Sequence, residues 1–232
     1  MDIITLNSLG ARSKIWDYNL SFVLRLFEIS EVWLFNCNEA TQHNLLRHNI
    51  KLSLISKIFI TNLSLYNVAG LQGLLSTLNL ESRNKTLYLY GPQELKYYLK
   101  FGSKYSQTNF CYAIKIFDIM FSKVFISASY VIRVISPQHD KNNWGYVVFS
   151  KQKPGKFKLS RAQVFNLIQG PLYGKLKQYK VFLTPDGNII HGKNFADVPE
   201  KGDKLVLVPY IHYNKVFAEL CWKANSIICL TK

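Results

Sequence analysis

The sequence predicts an α/β fold built from layered sheets. Short runs of β-branched and aromatic residues alternate with segments of helical periodicity along the chain, and antiparallel pieces are interspersed among them. The interior is well supplied: 48% of the 232 residues are apolar and 14% aromatic. That is enough to bury a substantial core in one domain, or at most two.

Met1 to Leu6 reads as a first strand. Val32 to Phe35 reads as a second, because β-branched and aromatic side chains suit a pleated, half-buried surface. The turn at Asn38 to Gln42 leads into a helix with Leu45 and Leu46 on its apolar side. Lys57 to Ile60 is a short buried strand. After a polar loop, Val68, Leu71, Leu74, Leu75 and Leu78 recur at helical spacing. Thr86 to Tyr90 is a strand, and Pro92 opens a helix over 93–100, in the first turn where its missing N–H costs least. Strands are expected at 110–117, 124–127, 130–135 and 144–150. Residues 179–190 read as a hairpin turning at Pro185-Asp186-Gly187. A strand at 205–208, a helix at 216–222 and a strand at 226–230 complete the order. No internal repeat or low-complexity segment interrupts it.

The net charge of +15 is large for this length. It favours polyanions, nucleic acid first and an anionic membrane surface second. No apolar run reaches the roughly 18–20 residues that span a bilayer, so no membrane partner is expected. Cys37, Cys111, Cys221 and Cys229 are scattered without metal-finger spacing and are expected to be buried free thiols in a reducing compartment. The N-terminus has neither the basic region of a secretory signal nor an Arg/Ser-rich transit character. Abundant Lys, Asn, Ile, Tyr and Phe have AT-rich codons. A plastid genome fits that bias, with cytoplasm as the alternative location and secretion not expected.

Several motifs carry a resemblance. Lys57-Ile58-Phe59-Ile60-Thr61 leads into Asn62-Leu63-Ser64-Leu65-Tyr66-Asn67 and then Gly70-Leu71-Gln72-Gly73-Leu74-Leu75. Phe35-Asn36-Cys37-Asn38-Glu39-Ala40-Thr41-Gln42 precedes it, and Tyr90-Gly91-Pro92 with Leu95 follows. Together they resemble ribonuclease Z, the tRNA 3′-processing endonuclease of the metallo-β-lactamase superfamily. The resemblance covers nearly the whole chain. It implies a metallo-β-lactamase-like αββα sandwich over 1–232, with the C-terminal part shortened and a sheet edge exposed near 226–230.

The resemblance also implies a zinc site that this chain has lost. Where the family places four ligands in Thr-His-Leu-His-x-Asp-His, this chain has Asn62, Ser64, Tyr66 and Asn67. Tyr210 stands at the bridging carboxylate, and Ile227-Ile228-Cys229-Leu230 stands where a further motif is expected. Only His139 occupies a ligand position with a ligand side chain. Zinc requires thiolate, imidazole or carboxylate donors, and a lone imidazole does not make a site. No zinc or other cofactor is expected, and no catalytic residue is assigned.

The segment Lys153-Pro154-Gly155-Lys156-Phe157 and the run from Gly170 and Pro171 through Gly174, Lys175 and Lys177 resemble the family's tRNA-gripping arm, inserted here over 151–180. Physical chemistry points the same way. Lys151, Lys153, Lys156, Lys158, Arg161, Lys175, Lys177 and Lys180 fall in this stretch, and no Asp or Glu does. Glycines there would let backbone N–H groups approach phosphates, and Phe157 and Tyr173 would stack or pack. A solvated basic loop around a small helical hairpin is the plain alternative. His43, His48, His191, His212 and Ser76 lack any partner set for catalysis.

The leading expectation is a ribonuclease Z-like pseudoenzyme that binds tRNA or precursor tRNA through its arm. It would act as a homodimer or in a heterodimer with an active ribonuclease Z. The alternatives are an active or partner-complemented endonuclease, and an interaction protein with no RNA role.

Overall fold

The computed structural model describes residues 1–6, 21–119, 124–127, 129–136, 143–152, 154–165, 167, 169–183, 187, 189–199, 201–209 and 215–229. His139, Lys153, Tyr210, His212 and the expected Pro185-Asp186 turn lie outside them. The chain forms two compact units. One comprises Met1–Ser127, Val131–Val148 and Lys204–Lys232; the other comprises Ala128–Tyr130 and Phe149–Asp203.

The first unit is organised by strands whose side chains alternate between two kinds of core. A six-stranded sheet runs in sequence order: β1 (Asp2–Thr5), β2 (Phe22–Leu26), β3 (Glu31–Phe35), β4 (Ile55–Phe59), β5 (Leu87–Gly91) and β6 (Ile114–Asp118). The first two pairings are antiparallel and the next three parallel.

On one face, Val23, Val32, Leu34, Ile58, Leu87 and Leu89 are buried in one cluster with leucines of the helices. These helices are α1 (Thr41–Arg47), the single turn α2 (Leu65–Val68), α3 (Leu71–Leu80) and α4 (Leu95–Ser106). The period of two along each strand sends the intervening residues to the opposite face.

That opposite face carries an aromatic ladder. Phe22, Phe35, Phe59, Tyr90 and Phe117 are registered neighbours on β2 through β6. Their rings stack in succession with centroids 4.7, 4.8, 4.8 and 5.2 Å apart. A second sheet, ordered β13-β12-β9-β8-β7, supplies the facing layer. Its strands are β7 (Val124–Ile126), β8 (Tyr130–Ile135), β9 (Gly145–Ser150), β12 (Lys204–Val208) and β13 (Ser226–Cys229), with α7 (Lys215–Cys221) between the last two. Tyr146 of β9 sets its ring edge-on to Phe35 and Phe59, and Phe125 of β7 does the same to Tyr90. Two sheets thus meet through aromatic rings, with helices behind the first, the layering expected of an αββα sandwich.

The second unit has its own small core. α5 (Leu159–Val164), α6 (Pro171–Lys177) and the hairpin β10 (Val181–Leu183) and β11 (Ile189–His191) bury Ala162, Leu176, Ile190 and Phe195. The basic stretch 151–180 lies within this unit, which extends to Asp203.

Four local differences from the sequence expectation have physical reasons. The expected strand at 110–117 begins only at Ile114, because Cys111 N–H is taken by Asn79 Oδ1 and Tyr112 packs against Phe110. The expected helix at 68–78 is divided into α2 and α3 at Gly70, where a Cβ would sit 2.1 Å from the Asn38 carbonyl oxygen. β2 is not legible in the sequence, since Phe22-Val23-Leu24-Arg25-Leu26, apolar but for one arginine, shows no period that tells strand from helix. Of the cysteines, all free, only Cys37 is buried; Cys111 is exposed and Cys221 and Cys229 are half-buried. Among the described residues, no helix is long and apolar enough to cross a membrane.

Candidate functional site

The ends of β3 and β4 bring the polar loop 61–67 beneath the residues that follow β3. Asn36 adopts φ 55°, a left-handed conformation that asparagine tolerates better than most residues. Its Oδ1 accepts hydrogen bonds from both the N–H and the hydroxyl of Thr61, each at 3.0 Å. An amide oxygen is as good an acceptor here as a carboxylate, without the cost of burying charge. Two backbone bonds tie the loops together: Cys37 N–H to Asn67 O at 2.8 Å and Gly70 N–H to Cys37 O at 3.0 Å.

From Thr61 the bonding continues through side-chain amides. Asn67 is buried, and its Nδ2 donates to Asn62 Oδ1 at 2.6 Å and to Thr61 Oγ1 at 3.4 Å. Asn62 Oδ1 also accepts from Ser64 N–H at 3.1 Å, and Asn62 Nδ2 donates to Asn143 Oδ1 at 2.8 Å. The backbone N–H of the neighbouring Trp144 donates to Thr61 O at 3.0 Å. Asn62 and Asn67 therefore join in one chain of neutral groups running from Asn36 to Asn143. Ser64 joins only through its backbone, and Tyr66 is 64% exposed and takes no part.

This donor set does not fit a zinc ion. Both lone-pair directions of Asn62 Oδ1 are already used by N–H donors, and the Asn67 amide offers N–H groups toward the loop, not lone pairs. Among the described residues no group of three His, Cys, Asp or Glu is placed to hold a metal. A cleft of about 450 Å³ adjoins the loop, lined by Asn62, Leu63, Ser64, Pro92, Glu94 and Asn143. Among the described residues that line it, Glu94, a carboxylate, is the one charged side chain.

The closed amide chain predicts the result of a near-isosteric exchange. Asn67→Asp replaces a buried donor by an acceptor set against Asn62 Oδ1. It is expected to lower stability by about 1–3 kcal/mol at neutral pH. The loss should shrink in mild acid, where the protonated carboxyl donates again. Urea unfolding at two pH values measures it, and equal losses at both would show that the amide bonding contributes nothing.

The expected RNA-contacting residues are differently placed. Lys151, Lys156, Arg161, Lys175 and Lys177 are exposed, as are Gly170, Pro171 and Gly174 at and within α6. Pro171 lies in the first turn of α6, where its missing N–H is tolerated. Lys158 pairs with Asp197 at 2.7 Å, and Arg161 donates to the Asn194 carbonyl at 2.9 Å. Both partners lie beyond residue 180, which a reading of the acid-free stretch alone could not supply. Lys175 lies 5.9 Å from the Phe182 ring centroid.

Gly155 departs from its expected role. It is buried, its N–H donates to Tyr179 Oη at 3.4 Å, and a Cβ there would lie 2.2 Å from the Asp197 carbonyl oxygen. Its close approach is to the unit's own backbone. Phe157 and Tyr173 pack on each other at 4.8 Å, and the Tyr173 hydroxyl donates to Leu167 O at 2.7 Å. Of the two options the sequence left for these rings, packing is the one observed.

The fold and the sequence can now be placed among known proteins. The crystal structure of human tRNase Z, short form, superposes with a TM-score of 0.62 at 19% identity, covering 98% of this chain and 76% of that one. The metallo-β-lactamase fold protein YhfI from Bacillus subtilis gives 0.56 at 9% identity, covering 97% and 68%. The architecture is thus that of the metallo-β-lactamase fold. In sequence, the chain is 38% identical over 230 residues to the uncharacterized protein ycf56 of Porphyra purpurea, covering 98% of this chain and 87% of the relative. Ribonuclease Z of Trichodesmium erythraeum is 39% identical over 186 residues, 80% of this chain and 58% of the enzyme. Ribonuclease Z of Cyanothece sp. is 35% identical over 208 residues, 90% and 65%. No family model matches. The chain belongs to the ycf56 family of ribonuclease Z-like proteins. It spans under two thirds of the length of those two ribonuclease Z chains.

Proposed function

We propose that this chain is an RNA-binding ribonuclease Z-like protein that holds tRNA or its precursor through the basic arm at 151–180 and does not itself cut by zinc chemistry. One observation carries the reading. At the positions where the resemblance places zinc ligands, Asn62 and Asn67 spend their polar atoms on each other, on Ser64 N–H and on Asn143. Metal-assisted phosphodiester hydrolysis needs an activated hydroxide and a charge clamp on the leaving oxygen, and this set supplies neither.

The arm, in contrast, keeps what binding needs. Its apolar cluster fixes the small unit, while Lys156, Lys175 and Lys177 remain exposed. Residues 149–203 hold ten Lys and Arg against four Asp and Glu. In this reading the cutting subunit is a separate ribonuclease Z with its metal ligands in place, and this chain pairs with it or with itself. The likeness to ycf56 proteins of two red algae, Porphyra purpurea and Pyropia yezoensis, supports a plastid location.

The test is binding to folded precursor tRNA over a salt series. Each phosphate neutralised adds about 0.7–0.9 to the slope of log affinity against log salt. Changing Lys156, Lys175 and Lys177 to Gln is expected to reduce that slope by about two to three. An unchanged slope would remove the arm from the account.

A further inference from the structure

A second surface suited to RNA lies on α4, within the first unit. The helix reads Leu95-Lys96-Tyr97-Tyr98-Leu99-Lys100-Phe101-Gly102-Ser103-Lys104-Tyr105-Ser106. Leu95 and Leu99 are buried in the helix-side core, Tyr98 donates to the Val68 carbonyl, and Gly102 sits against Gln72. One side of α4 is therefore fixed to the body.

The opposite side carries two adjacent rows at i, i+4, i+8. Tyr97, Phe101 and Tyr105 are 56%, 53% and 80% exposed. Beside them Lys96, Lys100 and Lys104 are exposed along the whole helix. None of these six side chains makes a hydrogen bond, ion pair or ring contact with another described residue. The helix itself contains no carboxylate, and Glu94 at its N-cap is the nearest acid in sequence. Three large rings in water are costly to keep exposed, and three lysines beside them leave the charge unanswered.

We infer that this face of α4 is a docking surface for single-stranded RNA. Successive rings are about 6 Å apart along the helix axis, so each can take one splayed base while the neighbouring lysine meets its phosphate. Bases stack on aromatic rings with little regard to sequence, and a basic track beside the rings follows the backbone. Charge complementarity decides against a second copy of the chain. Two such faces brought together would oppose six lysines with no carboxylate between them, and like charges across an interface are repelled. The inference rests on the RNA-binding reading above but on a different set of residues. It gives the protein a hold on an unpaired segment in addition to the folded part gripped by the arm.

The experiment measures three ligands against four proteins: the full chain, a Tyr97→Ser/Phe101→Ser/Tyr105→Ser variant, a variant with Lys96, Lys100 and Lys104 changed to Gln, and the arm variant with Lys156, Lys175 and Lys177 changed to Gln. The ligands are a short oligouridine, folded precursor tRNA, and vesicles of phosphatidylcholine and phosphatidylserine. The α4 variant is expected to bind oligouridine at least about ten-fold more weakly with its salt slope unchanged, because only rings are removed. Lys96, Lys100 and Lys104 changed together to Gln should instead lower that slope by about two. The arm variant should keep its oligouridine binding. Since the α4 side chains are exposed, circular dichroism should show all variants folded.

Oligouridine binding unaffected by the α4 variant would overturn the inference while leaving the arm reading intact. So would vesicle binding that depends on the same rings, or a dimer that they hold together. Loss of tRNA binding by no variant, with oligouridine binding still dependent on α4, would overturn the arm reading alone.

Discussion

Replacing Phe59 by alanine is expected to destabilise the protein by about 3–5 kcal/mol, a large part of the 5–15 kcal/mol that holds a typical domain together. Phe59 is fully buried at the centre of the aromatic ladder. It stacks on Phe35 and Tyr90 at 4.8 Å each, tilts against Trp33 at 5.8 Å and receives the edge of Tyr146 at 5.3 Å. Removing the ring loses its burial and leaves a cavity between layers whose neighbours are themselves rigid. Leu80→Ala is the control: Leu80 is 83% exposed and its truncation should change stability by no more than about 0.5 kcal/mol. Denaturant unfolding gives both values. A Phe59→Ala loss under about 1 kcal/mol would mean that the sheets do not meet through this ladder.

The second large effect is alkaline lability. Burial pushes the Cys37 thiol up to about 12 from an ordinary value of 9.0. It raises the phenols of Tyr90 and Tyr112 to about 12 from 10.0, in Tyr112 against the opposing pull of Arg83. Tyr146 is raised well above 10.0 by the same burial. Its proton is also held by a 2.8 Å bond to the Ile60 carbonyl.

For all four groups the folded pKa exceeds the unfolded one. The unfolded chain releases these protons first, so folding loses stability as pH rises from about 9 toward 12. Each group removes up to about 1.4 kcal/mol per pH unit once its unfolded form ionises. The denaturant midpoint should therefore fall steeply above about pH 10, and Tyr146→Phe should flatten part of that limb. A midpoint level to pH 11 would contradict the buried placement of these groups.

Much of the frame was readable because β-branched and aromatic residues mark the strands locally. Val32-Trp33-Leu34-Phe35 and Lys57-Ile58-Phe59-Ile60 show their strand character locally, and β3 and β4 follow them closely. In the sequence Gly70 reads only as part of a motif. The carbonyl of Asn38 that forbids a side chain there comes from a different loop. Asn62 and Asn67 could be recognised at positions where the resemblance expects zinc ligands, because a carboxylate or imidazole has a recognisable chemistry to lose. What they gained was not readable. The bond from Asn62 to Asn143 joins residues 81 apart in the chain. Similarly, the charge run of the arm was visible, yet Asp197 and Asn194, which engage Lys158 and Arg161, lie after it.

Ala40 shows that a frame can persist after the residue that suited it has gone. It holds φ 59° at the start of α1, where the resemblance leads one to expect glycine, and such a conformation costs a non-glycine residue roughly 1–2 kcal/mol. The backbone there keeps a left-handed turn at some cost, while Asn62 and Asn67 in the nearby loop bond to each other.

The most direct measurement is binding of a 3′-extended precursor tRNA across a salt series, with products read from the same samples in the presence and absence of a chelator. The account predicts salt-dependent binding that weakens when Lys156, Lys175 and Lys177 are neutralised, with the RNA uncut and the chelator without effect. Cleavage abolished by the chelator would contradict it.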